Sequence, residues 1–157
     1  MDTGRIIALD AAPAIDGSAV EDCTNIVALA GIEQIQAALN TRADIIIAGR
    51  ATDTAVIAAL PITRGCHPGA AWHGAKVAEC GALATTNPNS GVILMSFDES
   101  GFVIEPMAAD AAATPYTVSA HMLYENSDPL ILHEPGGYLD VSDAKYTALD
   151  ERIVRVE

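Results

Sequence analysis

Aromatic side chains are scarce in this chain: they make up 4% of its 157 residues, although 50% of all residues are apolar. Alanine fills much of the apolar share, which excludes a core of large rings and calls for close backbone approach instead. Positive charge is scarce as well. Eight lysines and arginines stand against 21 aspartates and glutamates, a formal net charge of -13. That balance excludes nucleic acid or an anionic membrane as a partner. Cysteine occurs only at Cys23, Cys66 and Cys80, with no CxxC spacing, which argues against a closed disulfide framework. No apolar run is long enough to span a membrane. No signal peptide opens the chain, so the expectation is a soluble, cytoplasmic protein. HExxH, zinc-finger spacing, GxGxxG and GxxxxGK[ST] are all missing, so no metal, nucleotide or other cofactor is expected.

What the chain does contain is an alternation of strand and helix signals. Residues 5–9 (RIIAL) read as a short strand, followed by a long polar stretch and a second apolar run at 25–31 (NIVALAG). Ile32, Ile35 and Leu39 recur at helical spacing. The unbroken run 44–48 (DIIIA) predicts an inner strand covered on both faces. Residues 69–86 predict a helix with an alanine face (Ala71, Ala75, Ala78, Ala82) and an opposite side holding Trp72, His73, Lys76, Val77, Cys80 and Leu83. Residues 91–105 predict a β-hairpin closed by DESG. Thr114 as N-cap and Pro115 at the first helical position open another helix. The expected fold is α/β, a mixed sheet with helices packed on it and a hairpin near residues 91–105, in one domain over 1–157.

Four places could carry chemistry. Gly49-Arg50, followed by a helix start near Asp53, would sit at a strand's carboxyl end, where free N–H groups and a guanidinium favour an anion. The alternative is that Thr52 or Asp53 caps the helix and Arg50 pairs with Asp53. Lys76, amid apolar neighbours, must reach water, lose its charge, or pair with Glu79 one turn on. His121 and Glu125 are spaced i, i+4, where a carboxylate would orient an imidazole for proton transfer. His133-Glu134-Pro135-Gly136-Gly137 allows a tight turn with exposed N–H groups.

Taken in order, IEQIQAALNTRADIIIAGRATDTAVIAALP, GAAWHGAKVAECGA and TPYTVSAHMLYENSDPLILHEPGG resemble the acyclic terpene utilisation (AtuA) family. Gly49, Arg50 and Asp53 match its first motif. Glu79, Cys80 and Gly81 match its second, and Thr117, Val118, Leu123, Tyr124, Glu125, Asp128 and Pro129 its third. The family's chains are longer, so the resemblance implies a later segment or excised domain of such a protein. It also implies a place in the breakdown of citronellol- and geraniol-type terpenes through acyl-CoA intermediates.

The functional expectation is an enzyme, or part of one, acting on a branched acyl-CoA or carboxylic acid by lyase or hydratase chemistry. His121, Glu125 and Asp53 would be catalytic, and Gly49, Arg50, Glu79, Tyr124, Gly136 and Gly137 would hold the substrate. The alternative is a non-catalytic interaction or ligand-binding domain. Exposed apolar surface from truncated strands further predicts a homo-oligomer, or cover from the remainder of a longer chain.

Overall fold

The computed structural model describes residues 17–89, 91–124, 126–134 and 137–157. The strand signal at 5–9 lies outside them. Five helices follow in chain order: α1 (Gly17–Glu21), α2 (Ile32–Asn40), α3 (Asp53–Thr63), α4 (Pro68–Ala78) and α5 (Pro115–His121). Six strands accompany them: β1 (Ile93–Phe97), β2 (Phe102–Pro106), β3 (Ile131–Glu134), β4 (Gly137–Asp140), β5 (Tyr146–Ala148) and β6 (Val154–Val156). The fold is mixed α/β, as expected.

The main sheet is antiparallel, in the order β1-β2-β6-β5. The expected hairpin is its first pair, with Met95 opposite Ile104 and Phe97 opposite Phe102. Period-two burial explains why it holds. Phe102 and Ile104 of β2 and Val154 and Val156 of β6 are buried, while Val103 and Arg155 alternate outward. Val77 from α4, Val118 from α5, and Met122 and Leu132 close the same core. A smaller sheet, β3-β4, pairs His133 with Tyr138.

The scarcity of rings has the structural consequence expected of it. α3 packs on α4 through alanines, with Ala55, Ala58, Ala59, Ala71 and Ala75 all fully buried. Gly74 lets α4 lie directly on the sheet: a Cβ at that position would run into the rings of Phe97 and Phe102. The helix predicted over 69–86 is shorter than expected. It ends at Ala78, and a short 3-10 turn, Gly81–Ala84, opens at Gly81, whose φ of 56° suits glycine. Leu83, placed on a buried side by its spacing, is exposed after this break.

The largest departure lies at residues 44–48. This segment belongs to no sheet, and the expected inner strand does not form. Just after it, a single parallel bridge links Ala51 to Ala30, which precedes α2. Ile45 and Ile47 are 80% and 91% exposed, and Ile26 and Val27 are bare as well. Residues 25–29 and 44–48 are exposed throughout, so among the described residues nothing covers either segment.

Candidate functional site

Because 44–48 is not a sheet strand, Gly49 and Arg50 do not mark a strand's carboxyl end. Both are exposed, and among the described residues no carboxylate lies within ion-pair distance of Arg50. The helix start after them does form. Thr52 is the N-cap and its hydroxyl accepts from the Ala55 amide at 3.2 Å, while Asp53 occupies the first turn, exposed. Of the capping alternative, the Thr52 cap forms, whereas the Arg50–Asp53 pair does not.

The next residue leads inward. Thr54 is buried, and its hydroxyl donates to Glu79 Oε2 at 2.7 Å. Glu79 caps the C-terminus of α4, and its other oxygen lies 2.5 Å from Lys76 Nζ. Side-chain exposures are 18% for Lys76 and 9% for Glu79, so the pair is largely out of water. Such a pair survives desolvation only when its remaining polar valences are met; Thr54 meets one of them. Of the fates open to Lys76, pairing with Glu79 is the one realised.

Lys76 also lines a recess of about 230 Å³ whose remaining wall is the segment from Asn126 to His133. That segment has its own internal supports. Asn126 Nδ2 donates to the carbonyls of Met122 and Tyr124 at 2.9 and 3.0 Å. Asp128 Oδ1 accepts from the amides of Leu130 and Ile131 at 2.8 and 3.1 Å. Those two amides, aided by the charge of His133, hold the Asp128 carboxyl below the usual carboxylate range. His133 is exposed at the wall, 6.5 Å from the Tyr138 ring between centroids.

The other expected site residues are dispersed. His121 is buried in the last turn of α5, its ring 5.8 Å from the Tyr124 ring, and Tyr124 itself is exposed. Glu125 and Gly136 lie outside the described residues, so the His121–Glu125 pairing does as well. Gly137 opens β4, exposed. The residue passed over in the sequence is Thr54, while His133 stood there only as the first residue of a turn motif. A threonine inside the first turn of an otherwise apolar helix was the available signal for Thr54, since a buried hydroxyl demands a partner.

A second buried polar contact ties α4 to β5. His73 Nε2 lies 3.1 Å from the Tyr146 hydroxyl, and the His73 ring meets Phe102 edge-on at 5.3 Å. Burial lowers the His73 pKa to about 4 and raises that of Tyr146 to about 12, so both are neutral at pH 7.

The scaffold is thus mixed α/β, with a polar recess in which Lys76, paired with Glu79 and through it tied to Thr54, faces residues of the 126–133 segment. Its lineage is plain. The chain belongs to the acyclic terpene utilisation family: the family model described as acyclic terpene utilisation family protein AtuA matches residues 7–157. No curated protein and no solved structure gives a match. Among the described residues no helix is long and apolar enough to cross a membrane.

Proposed function

We propose that the chain acts in acyclic terpene utilisation as an enzyme, or part of one, on a branched acyl-CoA or carboxylic acid, by hydratase- or lyase-type chemistry at the Lys76–Glu79 recess. One observation carries this reading. Three motifs distant in sequence are linked through Lys76 and its partner: Thr54 from GRATDT bonds Glu79, Glu79 pairs with Lys76 within AKVAECG, and Lys76 shares a recess with the wall that begins in YENSDP.

In this reading the Lys76 ammonium takes the negative charge that develops on a thioester or carboxylate oxygen, in surroundings poor in water. Glu79 holds the ammonium in place, and Thr54 holds Glu79. His133 moves the proton. It takes one from water as the water oxygen bonds to the β-carbon of a conjugated double bond, and the α-carbon then receives a proton. Water is thereby added across the bond with nothing left over, and the reverse steps eliminate it. Exposed on the recess wall, His133 suits this task better than His121, which is buried away from it. A cytoplasmic setting belongs to the same proposal.

The test is hydration of a branched enoyl-CoA, followed by loss of the conjugated thioester's ultraviolet absorbance. Lys76→Met should lower the rate by about a hundredfold or more, the usual cost of removing one oxyanion donor. An unchanged rate would sink the reading.

A second reading, an interaction module, draws on the exposed apolar segments 25–29 and 44–48. Exposed apolar surface of this kind calls for a partner, so a second copy, or the remainder of a longer chain, would cover them.

A further inference from the structure

We propose that the free edge of β1 is a self-association site: a second copy of this chain adds its own β1 there, antiparallel and centred on Met95, with its side chains in the groove beside α3. The inference rests on neither reading above. It concerns a surface apart from the Lys76 recess and from segments 25–29 and 44–48.

The first observation is the edge itself. β1 ends the main sheet and, among the described residues, pairs with β2 alone. Just outside the paired residues, the Met107 amide donates to the Val92 carbonyl at 3.0 Å and the Asp98 amide to the Gly101 carbonyl at 3.1 Å. Antiparallel ladders alternate, so Leu94 and Ser96 also turn their main-chain groups to β2. Pro106, opposite Ile93, has no amide to offer and agrees with that register. Ile93, Met95 and Phe97 therefore direct their N–H and C=O groups away from the sheet. No charge, proline or bulge guards them, although these are the usual protections of an edge. The far edge, β5, is only three residues long and is preceded by Lys145.

The second observation is the groove. Ile93, Met95 and Phe97 pack in part against the core, while Leu94, on the other face of the strand, is 48% exposed. α3 leaves Val56 and Leu60, an i, i+4 pair, 47% and 41% exposed. With Met95 and Phe97 they wall a groove of about 390 Å³. α4 covers β1 and β2, and no residue of β2 lines the groove, which places it along the free edge. A strand added to that edge keeps the pleat, so Met95 and Phe97 of the second copy point to the same side and enter the groove.

Symmetry and charge select the occupant. Outward groups at positions 93, 95 and 97 are symmetric about the middle one. An identical strand turned about a two-fold axis sets Ile93 against Phe97 of the second copy and Met95 against its own counterpart, and every outward group finds a partner. At a net charge of -13, two copies repel over most of their surface. β1 carries no charge, and among the described residues Arg64 is the one charged side chain on the groove wall. In the antiparallel register the two acidic loops that follow β1, with Asp98 and Glu99, lie at opposite ends of the joint. They stand about 20 Å apart, beyond the roughly 8 Å screening length. Parallel pairing would bring them together.

Amide hydrogen exchange of the purified full chain, read by NMR at several concentrations, tests this. The amides of Leu94 and Ser96 should be protected throughout, and those of Ile93, Met95 and Phe97 should gain protection as the concentration rises. Association through segments 25–29 and 44–48 would leave these three amides open, so the two contacts are told apart. Met95→Lys and Met95→Glu each set like charges face to face on the axis and should raise the dissociation constant about tenfold or more. An equimolar mixture of the two variants should restore protection, and the Leu94 and Ser96 amides report that each variant keeps its hairpin. Exchange at the three outward positions that ignores concentration would overturn the proposal. Fast exchange throughout would mean an edge that stays open or awaits a foreign strand, and slow exchange throughout an edge that the chain covers itself. Variants that associate like the wild type, or a mixture no better protected than either variant alone, would overturn it too.

Discussion

Acidification should destabilise this fold through one side chain, His73. It is 4% exposed on α4, and burial lowers its pKa from 6.5 to about 4. The folded chain therefore keeps a neutral imidazole at pH values where the unfolded chain has already bound a proton. A folded pKa below the unfolded one gives stability that is complete above about pH 6.5 and is lost as the pH falls toward 4. Across that gap the linkage relation gives a loss of about 2 kcal/mol at pH 5 and about 3 kcal/mol at pH 4. On the adjacent recess the hydroxyl and amide of Ser142 hold the Asp140 carboxyl below the usual carboxylate range, so the window just below neutrality separates His73 from it. Urea unfolding, read by the fluorescence of Trp72, measures the loss. His73→Gln keeps a partner for the Tyr146 hydroxyl and removes the titration. The wild type should lose about 2 kcal/mol between about pH 7 and pH 5, and the variant less than about half of that. Parallel curves for the two chains would refute the argument.

Two further perturbations have defined outcomes. Gly74→Ala places a methyl against the rings of Phe97 and Phe102 and should cost about 1–3 kcal/mol in chemical denaturation, as overpacked cores do; an unchanged midpoint would mean that α4 does not lie on the sheet at this point. Ile47→Lys puts a charge on the exposed isoleucine segment 45–47 and should shift the chain toward monomer in analytical ultracentrifugation, since that is the surface that calls for cover; a wild type that stays monomeric at high concentration would remove that reading.

How far the fold could be read in advance depended on how local its causes were. The hairpin of β1 and β2 was legible because alternating β-branched and aromatic residues flank a short DESG loop, all within a dozen or so positions. The start of α5 was legible because a cap is a contact between neighbours, here Thr114 with the Thr117 amide. The isoleucine run at 45–47 carries the same local signal as an inner parallel strand, but a strand is made by partners, and composition does not supply them. The alanine-rich helix was carried too far because its turn at Gly81 depends on a backbone angle rather than on periodicity. In the site, Lys76 with Glu79 was readable as an i, i+3 pair. The bond from Thr54 to Glu79 spans 25 positions, and no spacing rule announces it. The 126–133 wall comes from still farther along the chain. Arg50 stood out for its place beside a helix start, yet the structure leaves it in solvent and turns the next threonine but one, Thr54, inward.

The central claim is that the Lys76–Glu79 recess holds a carboxylate or thioester oxygen, and locating a bound ligand tests it most directly. NMR titration of the isotope-labelled chain with a branched enoyl-CoA should move the amides of Asn126 to His133 together with those around Lys76. Lys76→Met should suppress the shifts, and the double variant Lys76→Met/Glu79→Gln should suppress them as well, so that a carboxylate left unpaired is not the cause. Shifts confined to residues away from the recess, or shifts that persist undiminished in both variants, would contradict the assignment.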